Sequence, residues 1–161
     1  MTLTEELVTE ICSDDTINIF ERARKKYIGA MASAYLQIEQ ESGLASSEVA
    51  RWLGSKLTDT QKRARKHGLD CDITHTYLLE LYLEQRGRCA LTDVIMQCER
   101  GTLYDKGMLN ISIDRIDNTQ GYVVGNIRLL THWANNSKST YTDDEFYAMI
   151  RATFESGLAA P

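Results

Sequence analysis

The stretch Ile111–Ser139, ISIDRIDNTQGYVVGNIRLLTHWANNSKS, decides the fold of this chain. It opens with a β-type run from Ile111 to Ile116 and continues, after a turn rich in Asn, Gly and Gln, with a second short run from Asn126 to Leu130. A helical segment follows at once. The pattern predicts a β-hairpin followed by a helix, a ββα unit, with Asp114 near the end of the first strand and Asn135 on the helix.

Asp114 and Asn135 are the candidate metal ligands of this unit. When the hairpin folds onto the helix, their side-chain oxygens are expected to meet at one point. Oxygen ligands are those that hard divalent cations prefer, and such cations keep several waters and bind phosphate well. The sequence therefore predicts a site for one divalent cation, Mg2+ or Mn2+.

The same residues resemble the HNH, or ββα-metal, nuclease family. Its pattern, D-H followed by N-x-x-x-L-C-x-x-C-[HN]-x-x-K, aligns without a gap on Asp114-Arg115 and on Asn126–Lys138. The run S-I-D-R-I-D-N, with G-R-C-A-L-T at Gly87–Thr92 before it and D-D-E-F at Asp143–Phe146 after it, is similar to the DRID-type proteins of bacteria and their phages. The resemblance covers the region from Arg63 to Arg151.

The resemblance implies a metal-dependent DNA endonuclease, and phosphodiester hydrolysis then suggests a role for each residue. Asp114 and Asn135 would bind the metal, which would polarise the scissile phosphate. Asn126 would hold the hairpin loop in shape through hydrogen bonds to the backbone. Arg115 and Lys138 would offset the charge of the phosphate.

Two departures from the family pattern affect the chemistry. Arg115 stands where the family has the histidine that activates water, and a guanidinium stays protonated and cannot act as a general base. The paired cysteines of the family are also missing, because only Cys89 of the four expected positions is a cysteine. A structural zinc held by four thiolates is therefore not expected.

The general base is left open by the sequence. His132 lies three residues before Asn135 on the same helix, and its ordinary pKa range suits a base near neutral pH. A helical histidine beside Trp133 equally fits a packing or surface role. Asp117 has two interpretations as well, a second carboxylate of the site or a turn residue.

A second function class also remains open. The presence of Arg115 could mark a chain that keeps the fold as a catalytically inactive module, which binds nucleic acid or protein or acts as an inhibitor. The presence of an oxygen pair at Asp114 and Asn135 favours the enzyme, since a pure binding module has no need of it.

Basic charge is concentrated beside the ββα unit. The whole chain carries a net charge of -5, and residues 1 to 50 hold nine acids and four bases, whereas residues 51 to 67 hold six bases and one acid. We expect the side chains in this second segment to contact the phosphate backbone of DNA. The candidate contacts are Lys62, Arg63, Arg65 and Lys66.

Helices are expected to make up most of the remaining chain. The sequence predicts a first helix at Leu3–Ile11, a long amphipathic helix from Thr16 to about Glu41 ended by Gly43, and two short helices at about Val49–Leu53 and Thr58–Lys66. A further helix at His75–Arg86 is capped by Thr74, and a last one, with a capping box at Thr142 and Glu145, ends near Ser156. The long helix could pack on the core or form a homodimer or partner seam, since its spacing suits both.

An α+β fold, mostly helical, follows from these elements: a ββα-metal (HNH-like) core with an N-terminal helical extension. The 161 residues, 43% of them hydrophobic, suffice for one domain with an extension. We divide them into an N-terminal helical region at residues 1–57, a nuclease-like domain at 58–156 and a tail at 157–161.

The expected location is the cytoplasm of a bacterial cell or of a phage-infected host. The sequence has no apolar run long enough for a bilayer, and the opening MTLTEEL lacks the features of a signal peptide. Its four cysteines form no CxxC pair, which fits reduced thiols, although a disulfide between Cys89 and Cys98 is an alternative.

Overall fold

The computed structural model describes residues 29–30, 32–99 and 107–157. The chain divides into two units, Met1–Gln37 and Ile38–Pro161, and the elements that carry the candidate site all lie in the second. These are α1 (Ser46–His67), α2 (His75–Glu84), β1 (Ile111–Arg115), β2 (Ile127–Thr131), α3 (His132–Lys138) and α4 (Asp143–Glu155). The predicted class, α+β and mainly helical, is confirmed for the described residues.

The two strands form an antiparallel hairpin in which Asp114 lies opposite Arg128 and Ile113 lies opposite Leu129. Helix α3 begins at the residue after β2. Thr131 is both the last residue of the strand and the N-cap of the helix, and its side chain accepts a hydrogen bond from the Ala134 N–H. The predicted strands end within one residue of the observed ones.

Side chains from both faces of the hairpin are buried in the core. Ile111, Leu129 and Leu130 are fully buried, and α1 packs against β1 while α2 packs against β2. Burying one such side chain contributes about 1.5–3 kcal/mol. The indole N–H of Trp52 on α1 also donates to the carbonyl of Ile111 at 3.0 Å, so the helix that carries the basic segment is fixed to the hairpin.

Helix α1 corrects the prediction of two short helices. It runs without a break from Ser46 to His67, and the Thr58 hydroxyl donates to the carbonyl of Gly54 at 3.0 Å instead of capping a new helix. Packing on β1 and α2 keeps this helix whole. The boundary drawn after residue 57 therefore passes through a continuous helix. Gly68, at φ 64°, ends it.

The capping predictions for the other helices are confirmed. The Thr74 side chain accepts from the Tyr77 N–H at the start of α2, and Thr142 and Glu145 form a reciprocal capping box at the start of α4. Helix α2 ends at Glu84, two residues earlier than predicted.

Residues 89–97 lie beside the hairpin. The Ala90 N–H donates to the carbonyl of Leu129 at 3.1 Å, and Gln97 pairs with Asn110. Cys89 and Cys98 are both free thiols, so the alternative disulfide is absent. Burial raises the pKa of Cys98 to about 12, which keeps that thiol protonated.

Several predictions fall on residues outside those described. The helix at Leu3–Ile11, the first part of the long amphipathic helix, a dimer or partner seam formed by these N-terminal helices, and the tail beyond Gly157 are among them. Residues 29–30 and 32–42 are helical, and Gly43, at φ 72°, follows them as expected. Within the described ranges, no helix combines the length and the apolar character that crossing a membrane requires.

Candidate functional site

Asp114 on β1 and Asn135 on α3 line the same pocket, as the sequence predicts. The pocket has a volume of about 270 Å3 and lies where the hairpin, α1 and α3 meet. Its lining consists of Arg63, Ile113, Asp114, Arg115, Asn118, Tyr122, Asn135, Asn136, Ser139 and Thr140. Two arginines and several amides and hydroxyls make the lining suitable for a phosphate group.

The carboxylate of Asp114 is buried, with 4% of the side chain exposed. Its Oδ2 accepts a hydrogen bond from Nε of Arg128 at 2.9 Å. Its Oδ1 lies 3.6 Å from the ammonium of Lys138. The carboxylate therefore has a cationic group beside each of its oxygens.

Arg128 joins Asp114 to the first turn of α4. Its two terminal nitrogens donate to both carboxylate oxygens of Asp143, each at 2.6 Å. Burial disfavours the charged guanidinium, but the hydrogen bonds to Asp143 and Asp114 outweigh it and raise the pKa of Arg128. The arginine is therefore a permanent cation that fixes two carboxylates from different elements.

Lys138 is a buried cation at the end of α3. Its side chain is 1% exposed, it is absent from the pocket lining, and its Nζ makes no hydrogen bond with the described residues. Asp114 is the anion beside it. In this arrangement Lys138 supports the charge of Asp114 and does not reach a phosphate, the contact the sequence suggested.

The side chain of Asn135 has a fixed orientation. Its Nδ2 donates to Oγ of Ser112 at 2.7 Å and to the carbonyl of Ile113 at 3.3 Å. A carbonyl oxygen only accepts hydrogen bonds, so the nitrogen must face β1. The Oδ1 of Asn135 accepts no hydrogen bond from the described residues and is free to bind a ligand.

Arg115 holds the loop that follows β1. Its Nη1 donates to the carbonyls of Asn118 at 3.1 Å and Gln120 at 2.8 Å. Its guanidinium also lies over the ring of Tyr122, 5.1 Å from the centroid. It lines the pocket at the same time, so its charge is held close to Asp114.

Asn126 is buried and hydrogen-bonded to the backbone of the same loop, as a loop-holding residue should be. Its Oδ1 accepts from the Asp117 N–H at 2.9 Å, and its Nδ2 donates to the carbonyls of Asp117 and Gly121 at 3.0 and 2.9 Å. The Asp117 side chain accepts hydrogen bonds from Thr119 and Gln120. These contacts favour the turn interpretation of Asp117.

His132 lies outside the lining of the pocket. It is the first residue of α3, and its Nε2 lies 2.9 Å from Nδ2 of Asn136, which does line the pocket. A catalytic role for His132 remains a prediction.

The basic segment is on the outer face of α1. Lys62, Arg63, Arg65 and Lys66 are all exposed. Arg63 also lines the pocket that holds Asp114 and Asn135. The structure thus joins the basic helix to the candidate site through one residue.

The Oδ1 atoms of Asp114 and Asn135 are ligands of the type that hard divalent cations prefer. Asp114 Oδ1 is not hydrogen-bonded to the described residues, and Asn135 Oδ1 is free on the same pocket. Within the described ranges, no three His, Cys, Asp or Glu side chains form a group that could hold a metal. The remaining ligands would be waters and phosphate oxygens, which Mg2+ commonly retains.

The contact with Arg128 makes the stability contribution of Asp143 dependent on pH. Its hydrogen bonds to the guanidinium, opposed in part by burial, lower the pKa of the Asp143 carboxyl below its ordinary value of 3.8. A depressed folded-state pKa gives stability that is present above the unfolded pKa and is lost as the pH falls through the folded pKa.

We predict that Asp143→Asn lowers the free energy of unfolding by about 1 kcal/mol at neutral pH, a figure kept small because solvent screens this partly exposed pair. The difference from the wild type should shrink as the pH falls below 3.8. Urea unfolding across this range measures it. Asp144→Asn, at the same helix terminus, is the matched control, and an equal loss in both variants would assign the effect to the helix dipole.

Arg128 and Asp143 are the residues of the site that sequence reasoning missed. Asp143 enters the family resemblance only as part of the D-D-E-F run, and Arg128 only as part of the aligned stretch Asn126–Lys138. A signal was available in the hairpin itself. Once the pairing places Asp114 opposite Arg128, an acid and a base face each other on neighbouring strands.

The chain matches no family model, and no curated protein is significantly similar to it. Among solved structures, the rare-cutting HNH restriction endonuclease PacI is similar with a TM-score of 0.49 and 20% sequence identity, over 65% of this chain and 78% of that chain. A likeness at this level does not establish a shared function.

Proposed function

We propose that this chain is a metal-dependent endonuclease that hydrolyses phosphodiester bonds in DNA through the unit β1–β2–α3. One observation carries the proposal: Asp114 and Asn135, from different elements, line one pocket together with Arg63 and Arg115. An oxygen pair and two arginine side chains on one pocket are groups that suit a hydrolase of phosphate esters.

Each of these pocket residues would have its own role in the reaction. Asp114 and Asn135 would hold one Mg2+ or Mn2+ ion through their Oδ1 atoms, and that ion would act as a Lewis acid on the phosphate. Arg115, already fixed over Tyr122, would donate to a phosphate oxygen with the nitrogens that the loop carbonyls leave free. Arg63 would contact the same or a neighbouring phosphate from α1.

The exposed basic face of α1 would supply affinity for DNA. Lys62, Arg65 and Lys66 flank Arg63 on the chain, and contacts of this kind to phosphates provide most of the affinity for a nucleic acid backbone irrespective of sequence. The proposed partner is therefore duplex DNA laid along α1 with one phosphate at the pocket.

A module that binds nucleic acid or protein without cleavage is the second candidate. The observation that favours it is the state of Asp114, whose carboxylate already has Arg128 and Lys138 beside it. On this reading the acid serves only to stabilise the fold.

We predict that the purified full-length protein nicks supercoiled plasmid with Mg2+ or Mn2+ and not with EDTA. Asn135→Ala should abolish the nicking, because it removes one of two proposed metal ligands. The double variant Asp114→Ala/Lys138→Met should abolish it too, and it removes both buried charges together. Gel electrophoresis of the plasmid forms measures each result.

Thr153→Ala is the matched control, since Thr153 is exposed on α4 and its hydroxyl bonds only to its own helix. It should nick at the wild-type rate. Folded wild-type protein that shifts DNA in a gel but cleaves it with neither metal would overturn the endonuclease and leave the binding module.

A further inference from the structure

We infer that Lys138 and a divalent cation compete for one oxygen of Asp114, so that the pocket takes up metal tightly only together with a DNA phosphate. The inference rests on the proposed function and goes further, because it couples the binding of metal to the binding of DNA. Lys138 acts through Asp114 and suppresses metal binding in the DNA-free protein.

The charges of this cluster already balance. Asp114 and Asp143 supply two negative charges, and Arg128 and Lys138 supply two positive ones. Both terminal nitrogens of Arg128 are taken by Asp143, and its Nε occupies Oδ2 of Asp114. Oδ1 is therefore the oxygen left for a metal.

Lys138 stands at that same oxygen. Its Nζ lies 3.6 Å from Oδ1 of Asp114. It makes no hydrogen bond with the described residues and is fully buried, so it cannot turn to solvent when another cation arrives. A dication on Oδ1 would sit beside an ammonium in a region that water screens weakly, and the repulsion is therefore strong.

A bound phosphodiester would offset this repulsion between the dication and the ammonium of Lys138. Arg63 and Arg115 line the same pocket and would hold the phosphate close to Asp114 and Asn135. Its negative charge would offset the added cation and would supply the ligands that the protein lacks. Binding of metal and DNA is then cooperative, and each must strengthen the other by the same factor.

The test uses Mn2+ as the probe and the full-length protein. Free Mn2+ is measured by electron paramagnetic resonance, with and without a short DNA duplex whose phosphorothioate linkages resist hydrolysis. We expect the duplex to increase the Mn2+ affinity of the wild type by about tenfold or more. Lys138→Met should bind Mn2+ about tenfold more tightly than the wild type without DNA, and it should lose most of the response to the duplex.

Arg151→Met is the matched control, because it removes one exposed cation, on α4, that lies outside both the pocket lining and the proposed DNA-binding segment. Its Mn2+ affinity without DNA should equal that of the wild type. If Lys138→Met does not fold, the Mn2+ affinity of the wild type with and without the duplex still tests the inference.

The outcomes separate this inference from the proposed function. Wild-type protein that binds Mn2+ equally well with and without the duplex overturns the inference and leaves the endonuclease intact. Protein that binds no Mn2+ in any form, the duplex-bound and Lys138→Met forms included, overturns both.

Discussion

Replacing Asp114 by Ala is expected to lower the free energy of unfolding by about 3–5 kcal/mol, since removal of one partner leaves a buried charge uncompensated. The charge in question is the ammonium of Lys138, which is 1% exposed and has Asp114 as its neighbouring anion. Arg128 is less affected, because Asp143 still accepts two hydrogen bonds from it.

The double variant Asp114→Ala/Lys138→Met should recover most of this loss. Replacing a whole buried pair by apolar side chains is often neutral in stability, whereas breaking it is not. The difference between the single and double variants is the coupling between the two residues. Urea unfolding followed by circular dichroism measures all four proteins of the cycle.

Glu48→Ala provides the contrast. Glu48 forms a pair with Arg51 at 4.0 Å, and both side chains are at least half exposed. Its loss should change the free energy of unfolding by less than about 0.5 kcal/mol. If Asp114→Ala unfolds at the same urea concentration as this variant, the buried cluster does not stabilise the fold.

The second large effect is expected at Asn126. Asn126→Ala should lower the free energy of unfolding by about 2–3 kcal/mol, because it leaves an N–H and two carbonyls of the loop without partners. Those groups belong to Asp117 and Gly121. The loop also provides the carbonyls that hold Arg115, so the arginine should become mobile as well.

Asn126→Asp tests whether the loss of hydrogen bonds causes the destabilisation. It keeps the volume and the acceptor but cannot donate to the two carbonyls, so it should be at least as destabilising as Ala. A harmless Asp variant would show that volume and not hydrogen bonding matters at this position. Asn118→Ala, in the same loop, should change the stability by less than about 0.5 kcal/mol.

Local patterns in the sequence are enough to predict the elements of this fold. The hairpin follows from two short β-type runs around a turn, and the caps at Thr74 and Thr142 follow from hydrogen bonds made within four residues. The interior of α1 shows the limit. Gly54 and Thr58 look like a break, but the threonine bonds back to the preceding turn, and packing of α1 on β1 and α2 keeps the helix whole.

The same distinction between local and non-local contacts applies to the candidate site. That Asp114 and Asn135 would line one pocket could be predicted, because they lie on neighbouring elements of one unit. Their surroundings depend on which residues face each other across the hairpin and on how α4 docks, and neither is local. Lys138 illustrates this, since a lysine at a helix end is normally solvated, whereas here it is buried beside Asp114.

The junction at Thr131 leaves this protein no spacer between its strand and its helix. The same residue ends β2 and caps α3, so the phase of the helix is set directly by the pleat of the strand. One added residue would turn α3 by about 100° and carry Asn135 away from Asp114. Substitutions can therefore change the site, whereas the insertion of a residue at this junction would separate its parts.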